Sequence, residues 1–169
     1  SQGDPPLGDM PDADMALLAH MPNLETLYLC RQEVTDISTL AGLPLTTLAL
    51  CENQIMDYSS LGTLNELETL YLGGNPGSDY SVLSGLTRLE TLRVEGSGSV
   101  GFAAVDSLSF LDGLTLRKLG LGLVVPGDGD WSPLTRQVVL EDLSLWDPPK
   151  EAVEAAAALT DLKILSFGD

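Results

Sequence analysis

One unit of sequence recurs seven times along this chain, and this recurrence limits what the chain can fold into. The clearest copy runs from residue 67 to residue 86 and reads LETLYLGGNPGSDYSVLSGL. Aligned on their first leucine, the copies begin at residues 24, 45, 67, 89, 116, 140 and 162, so neighbouring copies lie 21, 22, 22, 27, 24 and 22 residues apart. A single copy has nothing to bury its leucines against, whereas stacked copies bury a continuous core. We therefore expect one continuous stack of coils.

Each copy alternates two kinds of local structure. In the segment LxxLxL the inward leucines are separated by outward residues, which is typical of a short strand with one buried face. An Asp opens the following return in four copies, at Asp36, Asp57, Asp79 and Asp130. Because Asp is a good N-cap, these returns are predicted to be short turns of α-helix or 3₁₀-helix. Every strand runs the same way relative to its return, so the sheet is predicted to be parallel.

The period falls in the range of leucine-rich repeats, about 20 to 29 residues. The predicted fold class is α/β: a leucine-rich repeat solenoid with a parallel sheet on its concave face and short 3₁₀ or α-helical returns on its convex face. Residues 1–22 are interpreted as a leader and an N-terminal half-repeat cap. Residues 23–169 are interpreted as the solenoid, with about seven strands.

The first and last parts of the stack carry core predictions of their own. Near the N terminus, three apolar residues align with core positions of the next copy and are predicted to be buried: Met15, Leu18 and Met21. The sixth return reads AVEAAAAL shortly after two prolines, which favours a true α-helix. The core residues predicted for that helix are Val153, Ala156 and Leu159.

Asn53 and Asn75 hold a repeat position where an amide can satisfy buried backbone groups of the turn. Other residue types hold this position elsewhere, so the second half of the chain is the less regular half. It also contains two insertions, GSGSVGFAA and VVPGDGD, which are expected to project as loops. Such loops are either spacers or carriers of function.

The charge of the chain excludes some classes of partner. Lys and Arg together number 8 against 25 Asp and Glu, which gives a formal net charge of −17. So acidic a surface repels phosphate backbones and anionic lipid, so nucleic acid and bare membrane are not expected as partners. No run of about 18 apolar residues occurs, so no direct insertion into a membrane is expected.

Candidate chemical motifs have simpler structural interpretations. The segment GSGSVG from residue 96 fits GxGxxG, but the next strand lacks the acidic residue that would hold a ribose, and an enlarged turn explains it. Asp128 and Asp130 resemble the start of a calcium loop without its glycine and its final Glu. Cys30 and Cys51 are expected to be neighbouring free thiols, and the single histidine, His20, to be exposed or capping. With no nucleophile–base set in view, we expect no enzyme, no cofactor and no metal.

The outward strand positions are the informative ones. Exposed Tyr, Trp and Arg residues often anchor protein contacts. The predicted partner-binding residues are Tyr28, Tyr71, Arg93, Lys118 and Trp146. Arg93, Arg117 and Lys118 are expected to converge, either as a positive spot for an acidic group of a partner or in pairs with Glu90 and Glu95. Gly120 and Gly122 are expected to leave an open floor beside them.

The segments LETLYLCRQEVTDISTLAGL and LTTLALCENQIMDYSSLGTL resemble the 22-residue leucine-rich repeats of internalin-type bacterial surface proteins. The shared pattern is LxxLxLxxN, then an aliphatic residue, then Asp followed by an aliphatic or aromatic residue, then LxxL. The resemblance covers residues 14 to 169. It implies a curved solenoid that binds another macromolecule with its concave sheet.

The first functional hypothesis is a non-enzymatic, monomeric module that binds a protein or peptide on the concave sheet. One alternative is a carbohydrate or small-molecule receptor that uses the same aromatic residues. The other is a structural spacer within a larger surface protein. The resemblance favours an extracellular or cell-surface location, and a cytoplasmic location stays open as the alternative.

Overall fold

The computed structural model describes residues 12–95, 105–122 and 126–168, and its main feature is one parallel sheet. Seven strands pair in chain order within these ranges, each with its sequence neighbour. They are β1 Thr26–Tyr28, β2 Thr47–Ala49, β3 Thr69–Tyr71, β4 Thr91–Arg93, β5 Lys118–Leu121, β6 Asp142–Trp146 and β7 Ile164–Gly168. The parallel order confirms the prediction of stacked coils.

Short helices form the returns between strands, and one more precedes β1. Among the described residues three are α-helices: α1 Asp12–Leu18 before β1, α2 Ser132–Thr135 and α3 Lys150–Ala156. Four are 3₁₀-helices: Ser38–Leu40, Ser59–Thr63, Ser81–Gly85 and Ser109–Gly113. Within the described ranges, none of these helices has the length and apolar character needed to cross a membrane.

The core is a set of leucine rows that run across the sheet. Strand register places Leu48, Leu70, Leu92, Leu119 and Leu143 side by side, and each is fully buried. The rows weaken at the last coil, where Leu165 is 42% exposed. An inner coil has a neighbour on both sides, whereas the last described strand has one on a single side. Apart from this exposed end, the sheet and the returns enclose one continuous apolar core.

The Asp residues that open the returns act as local caps. A side-chain oxygen of Asp36, Asp57, Asp79 or Asp130 accepts a hydrogen bond from the backbone N–H two residues later, at 2.7, 2.8, 2.9 and 2.9 Å respectively. In each case that donor is the first residue of the helix. The Asp therefore lies one residue before the N-cap, whereas the sequence predicted that it would be the N-cap itself. Hydrogen bonds from Ser38 and Ser81 lower the pKa of Asp36 and of Asp79.

Buried amides satisfy the backbone on the other side of each turn. The Asn53 Oδ1 accepts from the N–H of Gln32 and of Val34 at 2.9 and 3.1 Å. Its Nδ2 donates to the carbonyls of Leu29 and Leu50 at 2.7 and 2.9 Å. Asn75 repeats this arrangement one coil later. Both side chains are buried, which confirms the predicted Asn ladder.

Two of the six end-of-stack core predictions are wrong. Met15 and Leu18 are buried as expected, but Met21 is 46% exposed because the end coil has a neighbour on one side only. In α3, Val153 is 39% exposed, while Ala152, Ala155 and Ala156 are buried, as is Leu159 just beyond the helix. Ala156 and Leu159 are thus buried as predicted, whereas Ala152 rather than Val153 faces the core.

Candidate functional site

Three rows of outward side chains form the open face of the sheet. The register of the strands aligns each row across all seven coils. The first row is Thr26, Thr47, Thr69, Thr91, Lys118, Asp142 and Ile164. The middle row is Tyr28, Ala49, Tyr71, Arg93, Gly120, Ser144 and Ser166. The third row, continued two residues further along each strand, is Cys30, Cys51, Gly73, Glu95, Gly122, Trp146 and Gly168. We use "open face" for these residues.

Tyr28 and Tyr71 lie in the same row, two strands apart. With a spacing of about 4.8 Å between strands, their backbones are separated by about 10 Å. Ala49 lies between them and is buried, so the surface has a depression between the two aromatic side chains. Tyr28 is 68% exposed and Tyr71 is half-buried. This arrangement leaves two amphipathic rings beside a small apolar floor.

Arg93 is held by one side chain just beyond its own strand and by two side chains of β6. Its Nη1 donates to Glu95 Oε1 at 3.0 Å and to Ser144 Oγ at 2.8 Å, and its Nη2 donates to Asp142 Oδ2 at 3.4 Å. The guanidinium therefore reaches from β4 across β5 to β6. We call Arg93, Glu95, Asp142 and Ser144 the Arg93 cluster. Of the two sequence interpretations for this arginine, the structure shows pairing.

The expectation of an open floor at Gly120 is wrong. A Cβ built on Gly120 would lie 1.6 Å from Glu95 Oε2, so the carboxylate already fills that space. Glu95 reaches it because it also pairs with Arg93, which extends in the same direction. The Oε2 atom is buried and accepts no hydrogen bond in the structure. Because Gly120 has no side chain, it leaves the space that the Glu95 carboxylate of the Arg93 cluster occupies.

The indole of Trp146 lies across the last strand. A Cβ built on Gly168 would lie 2.4 Å from the Trp146 ring, so this glycine makes room for it. The side chain is consequently half-buried rather than freely exposed. Lys118 is exposed in the first row, between Thr91 and Asp142. The five predicted residues therefore divide into the tyrosines of β1 and β3 and a second group on β4 to β6.

Arg117 does not join Arg93. It lies just before β5 at the rim, where it contacts Glu90 at 3.7 Å and Glu141 at 3.2 Å. Lys163 extends this chain of charges with a contact of 2.9 Å to Glu141. The hydrogen bond from Lys163, followed by its charge, lowers the pKa of Glu141. Since these groups are solvent-exposed, each pair contributes little to stability. Arg93 with Glu95 and Arg117 with Glu90 are the pairs of the second sequence interpretation.

The two cysteines are neighbouring free thiols, as expected. Both are half-buried, and the backbone N–H of Cys51 donates to the Cys30 Sγ at 3.3 Å. Burial, together with a hydrogen bond to Cys30, raises the pKa of the Cys51 thiol to about 12. The Cys51 thiol is therefore protonated at neutral pH.

The remaining motifs show no reactive arrangement in the described ranges. Residues 96–101, which fit GxGxxG, lie outside those ranges. Asp128 and Asp130 each cap a turn by accepting a backbone N–H at 3.0 and 2.9 Å. His20 is exposed. Among the described residues, no group of three or more His, Cys, Asp or Glu side chains is placed to hold a metal ion.

Sequence reasoning missed three members of this surface and its support. Asp142 and Ser144 were not predicted to take part, since their contacts with Arg93 span 49 and 51 residues of sequence. Gln137 is buried, accepts from the Leu116 N–H at 3.3 Å and donates to the Leu111 carbonyl at 2.7 Å. Gln137 lies three residues before Leu140, the first leucine of the sixth copy, and this repeat position was the sequence signal that could have identified it.

Comparisons with known proteins support the fold. The sequence matches no protein-family model and no curated protein. An internalin (inlF) from Listeria monocytogenes str. 4b F2365 has a similar structure, with a TM-score of 0.64 and 23% identity over 91% of this chain and 51% of that one. Internalin C2 (inlC2) of the same strain gives 0.58 and 24%, over 91% of this chain and 74% of that one.

A leucine-rich repeat protein of Leptospira interrogans gives a TM-score of 0.59 and 19% identity, over 87% of this chain and 38% of that one. The chain thus spans about half the length of the inlF internalin and less of the Leptospira protein. At these identities the likeness concerns the fold. This chain is a leucine-rich repeat solenoid, with the same fold as these internalins.

Proposed function

We propose that this chain is a non-enzymatic, monomeric interaction module that binds a protein or peptide on its open face. The single observation that carries the proposal is the row Tyr28, Ala49 and Tyr71, in which two aromatic side chains flank a buried small residue. Tyrosine offers a large contact area with few rotatable bonds and a hydroxyl for hydrogen bonding. A partner side chain of moderate size fits between the rings.

The charged residues have different roles in this proposal. Arg93 is engaged by Glu95, Asp142 and Ser144, so it shapes the centre of the face and supplies no unpaired charge. Lys118 is exposed beside this cluster and is the cation that a partner carboxylate would meet. Trp146 extends the contact surface towards β7. Overall, a partner with a net positive surface is favoured by the charge of −17.

The test is capture of binding proteins from a native extract by immobilised protein. The double variant Tyr28→Ala with Tyr71→Ala is expected to reduce the captured amount at least about tenfold, because truncated aromatic anchors typically weaken binding by 1.4 kcal/mol or more. The matched control is Met56→Ala, which removes a side chain that is 75% exposed and lies outside the open face. Equal capture by wild type and the tyrosine variant would refute the assignment.

Trp146 supports a second candidate, a carbohydrate receptor. Its ring is fixed across Gly168, and a fixed aromatic ring is suited to stacking on a sugar. Glycan-array binding that is lost in Trp146→Ala and retained in the tyrosine double variant would favour this function over the first. For location we propose the cell surface or the extracellular space, on the strength of the internalin likeness alone.

A further inference from the structure

The only two cysteines of the chain lie opposite each other at the ends of β1 and β2. Two backbone hydrogen bonds bracket them: Leu29 N–H to the Ala49 carbonyl at 2.8 Å, and Arg31 N–H to the Cys51 carbonyl at 2.9 Å. Strand pairing therefore continues past Tyr28 and Ala49 and fixes the two side chains in the third row. Both point to the open face, and both are half-buried, so a small solute reaches them.

The spacing of the two thiols is unfavourable for a disulfide. Paired parallel strands place equivalent Cβ atoms about 4.8 Å apart with nearly parallel Cα–Cβ bonds. A disulfide needs Cβ atoms about 3.5 to 4.5 Å apart and a torsion near 90°. The contact of 3.3 Å from the Cys51 N–H to the Cys30 Sγ shows that the first thiol leans towards the second strand without bonding to the second sulfur.

A metal ion between the sulfurs suits parallel Cα–Cβ bonds better, because it needs neither a direct S–S bond nor a torsion near 90°. Two metal–sulfur bonds, taken at the Zn–S length of about 2.3 Å, hold two sulfurs about 4.6 Å apart, so side chains that rise in parallel from strands about 4.8 Å apart can provide both ligands. We propose that Cys30 and Cys51 together bind one Cu(I) ion as a linear two-thiolate site. On binding, two S–H bonds break, two protons pass to the solvent and two S–Cu bonds form. Copper stays monovalent, so no electron is transferred.

The choice of Cu(I) follows from the donor set. Soft thiolate ligands select Cu(I), whereas Zn²⁺ normally takes four ligands. The described residues offer no third His, Cys, Asp or Glu side chain around this pair. The neighbouring Arg31 and Glu52 side chains form an ion pair at 2.8 Å, so together they add no net charge beside the complex.

The experiment is an anaerobic titration of the reduced protein with Cu(I), supplied from a coloured Cu(I) chelate that competes for the ion. Wild type is expected to withdraw one Cu(I) per chain and to lose the reactivity of both thiols. Cys30→Ser and Cys51→Ser are each expected to lower the affinity for Cu(I) at least about 100-fold, because one thiolate alone cannot complete the site. Zn²⁺ alone is expected to leave thiol reactivity unchanged.

Two controls keep the outcome decisive. Met56→Leu removes an exposed sulfur elsewhere on the chain and should retain full Cu(I) uptake. Native mass spectrometry should show a monomer carrying one copper. Uptake that survives both serine substitutions, one copper shared between two chains, or thiols lost to an internal disulfide instead of copper would each overturn the proposal. None of these results depends on partner binding by the tyrosines.

Discussion

The first four coils and the last three reach the same geometry by different means. In the first part, Asn53 and Asn75 satisfy the turns as a repeated ladder, each through bonds to the preceding coil and to its own coil. In the last part, among the residues that the structure describes, Gln137 provides comparable bonds from a different repeat position. A coil of this fold therefore requires that its buried backbone groups be satisfied, whichever amide does so.

The open face differs between the same two parts. Over β1 to β3 its middle row is aromatic and small, with Tyr28 projecting into solvent. Over β4 to β6 the side chains of the Arg93 cluster bind one another across the sheet. The first arrangement leaves groups for a partner, whereas the second uses its polar groups internally. Exposure alone therefore does not identify a binding residue, because a half-buried arginine can be fully engaged.

The largest expected difference in stability is between a leucine of an inner coil and the equivalent leucine of the last described coil. Leu70→Ala should lower the free energy of unfolding by about 4 kcal/mol, because Leu70 is fully buried and its coil has neighbours on both sides. Leu165→Ala, in the same leucine row, should lower it by less than about 1.5 kcal/mol because Leu165 is 42% exposed. Urea unfolding measures both, and equal losses would contradict the stacked core.

The next effect compares the two kinds of buried amide. Asn53→Ala should destabilise the protein by about 3 kcal/mol, because it leaves several buried backbone donors and acceptors without partners. Gln137→Ala should destabilise it by about 2 kcal/mol, since two bonds are lost.

The control for both amides is Asn65→Ala, whose side chain is exposed and which should change stability by less than about 0.5 kcal/mol. If Asn53 and Asn65 proved equally dispensable in thermal unfolding, the ladder would have no structural role.

A smaller expected change in stability tests how Glu95 packs in the Arg93 cluster. Gly120→Ala should destabilise by about 1 kcal/mol, because the new methyl group displaces the Glu95 carboxylate from its contact with Arg93. Gly85→Ala is the matched control: its Cβ meets nothing within 4 Å, and it should leave stability unchanged or slightly raised. If Gly120→Ala left stability unchanged, the position of the Glu95 carboxylate would not depend on the space above Gly120.

The repeat register explains what could be predicted from the sequence. It predicted the parallel strands, the inward leucines and the Asn ladder, and it located the Asp residues to within one position of the helix N-cap, because each of these follows the repeat. It also placed Tyr28 and Tyr71 on one face. Pairing of Arg93 with Glu95 was one of the two sequence interpretations, but its contacts with Asp142 and Ser144 could not be predicted in the same way. They depend on the path of a long side chain over a glycine to residues 49 and 51 positions away.

The core errors have a related cause. Val153 was predicted to be buried together with Ala156 and Leu159, but the structure buries Ala152 in its place. A short helix rich in alanine has no strong apolar stripe, so the pattern alone does not determine which side packs. Met21 fits the repeat pattern as well as Leu43 does, and it differs only in lying at an end of the stack.

The tyrosines and Arg93 have different proposed roles on the open face: the tyrosines contact a partner, whereas Arg93 binds the polar side chains around it. A paired measurement distinguishes these roles. Tyr71→Ala and Arg93→Ala are compared for capture of the binding partner and for Tm. Tyr71→Ala should reduce capture with Tm nearly unchanged. Arg93→Ala should lower Tm by roughly 4 to 8 °C, which corresponds to about 2 kcal/mol, because Glu95 and Asp142 lose their cation. The opposite pattern, with Arg93→Ala abolishing capture at an unchanged Tm, would contradict the account.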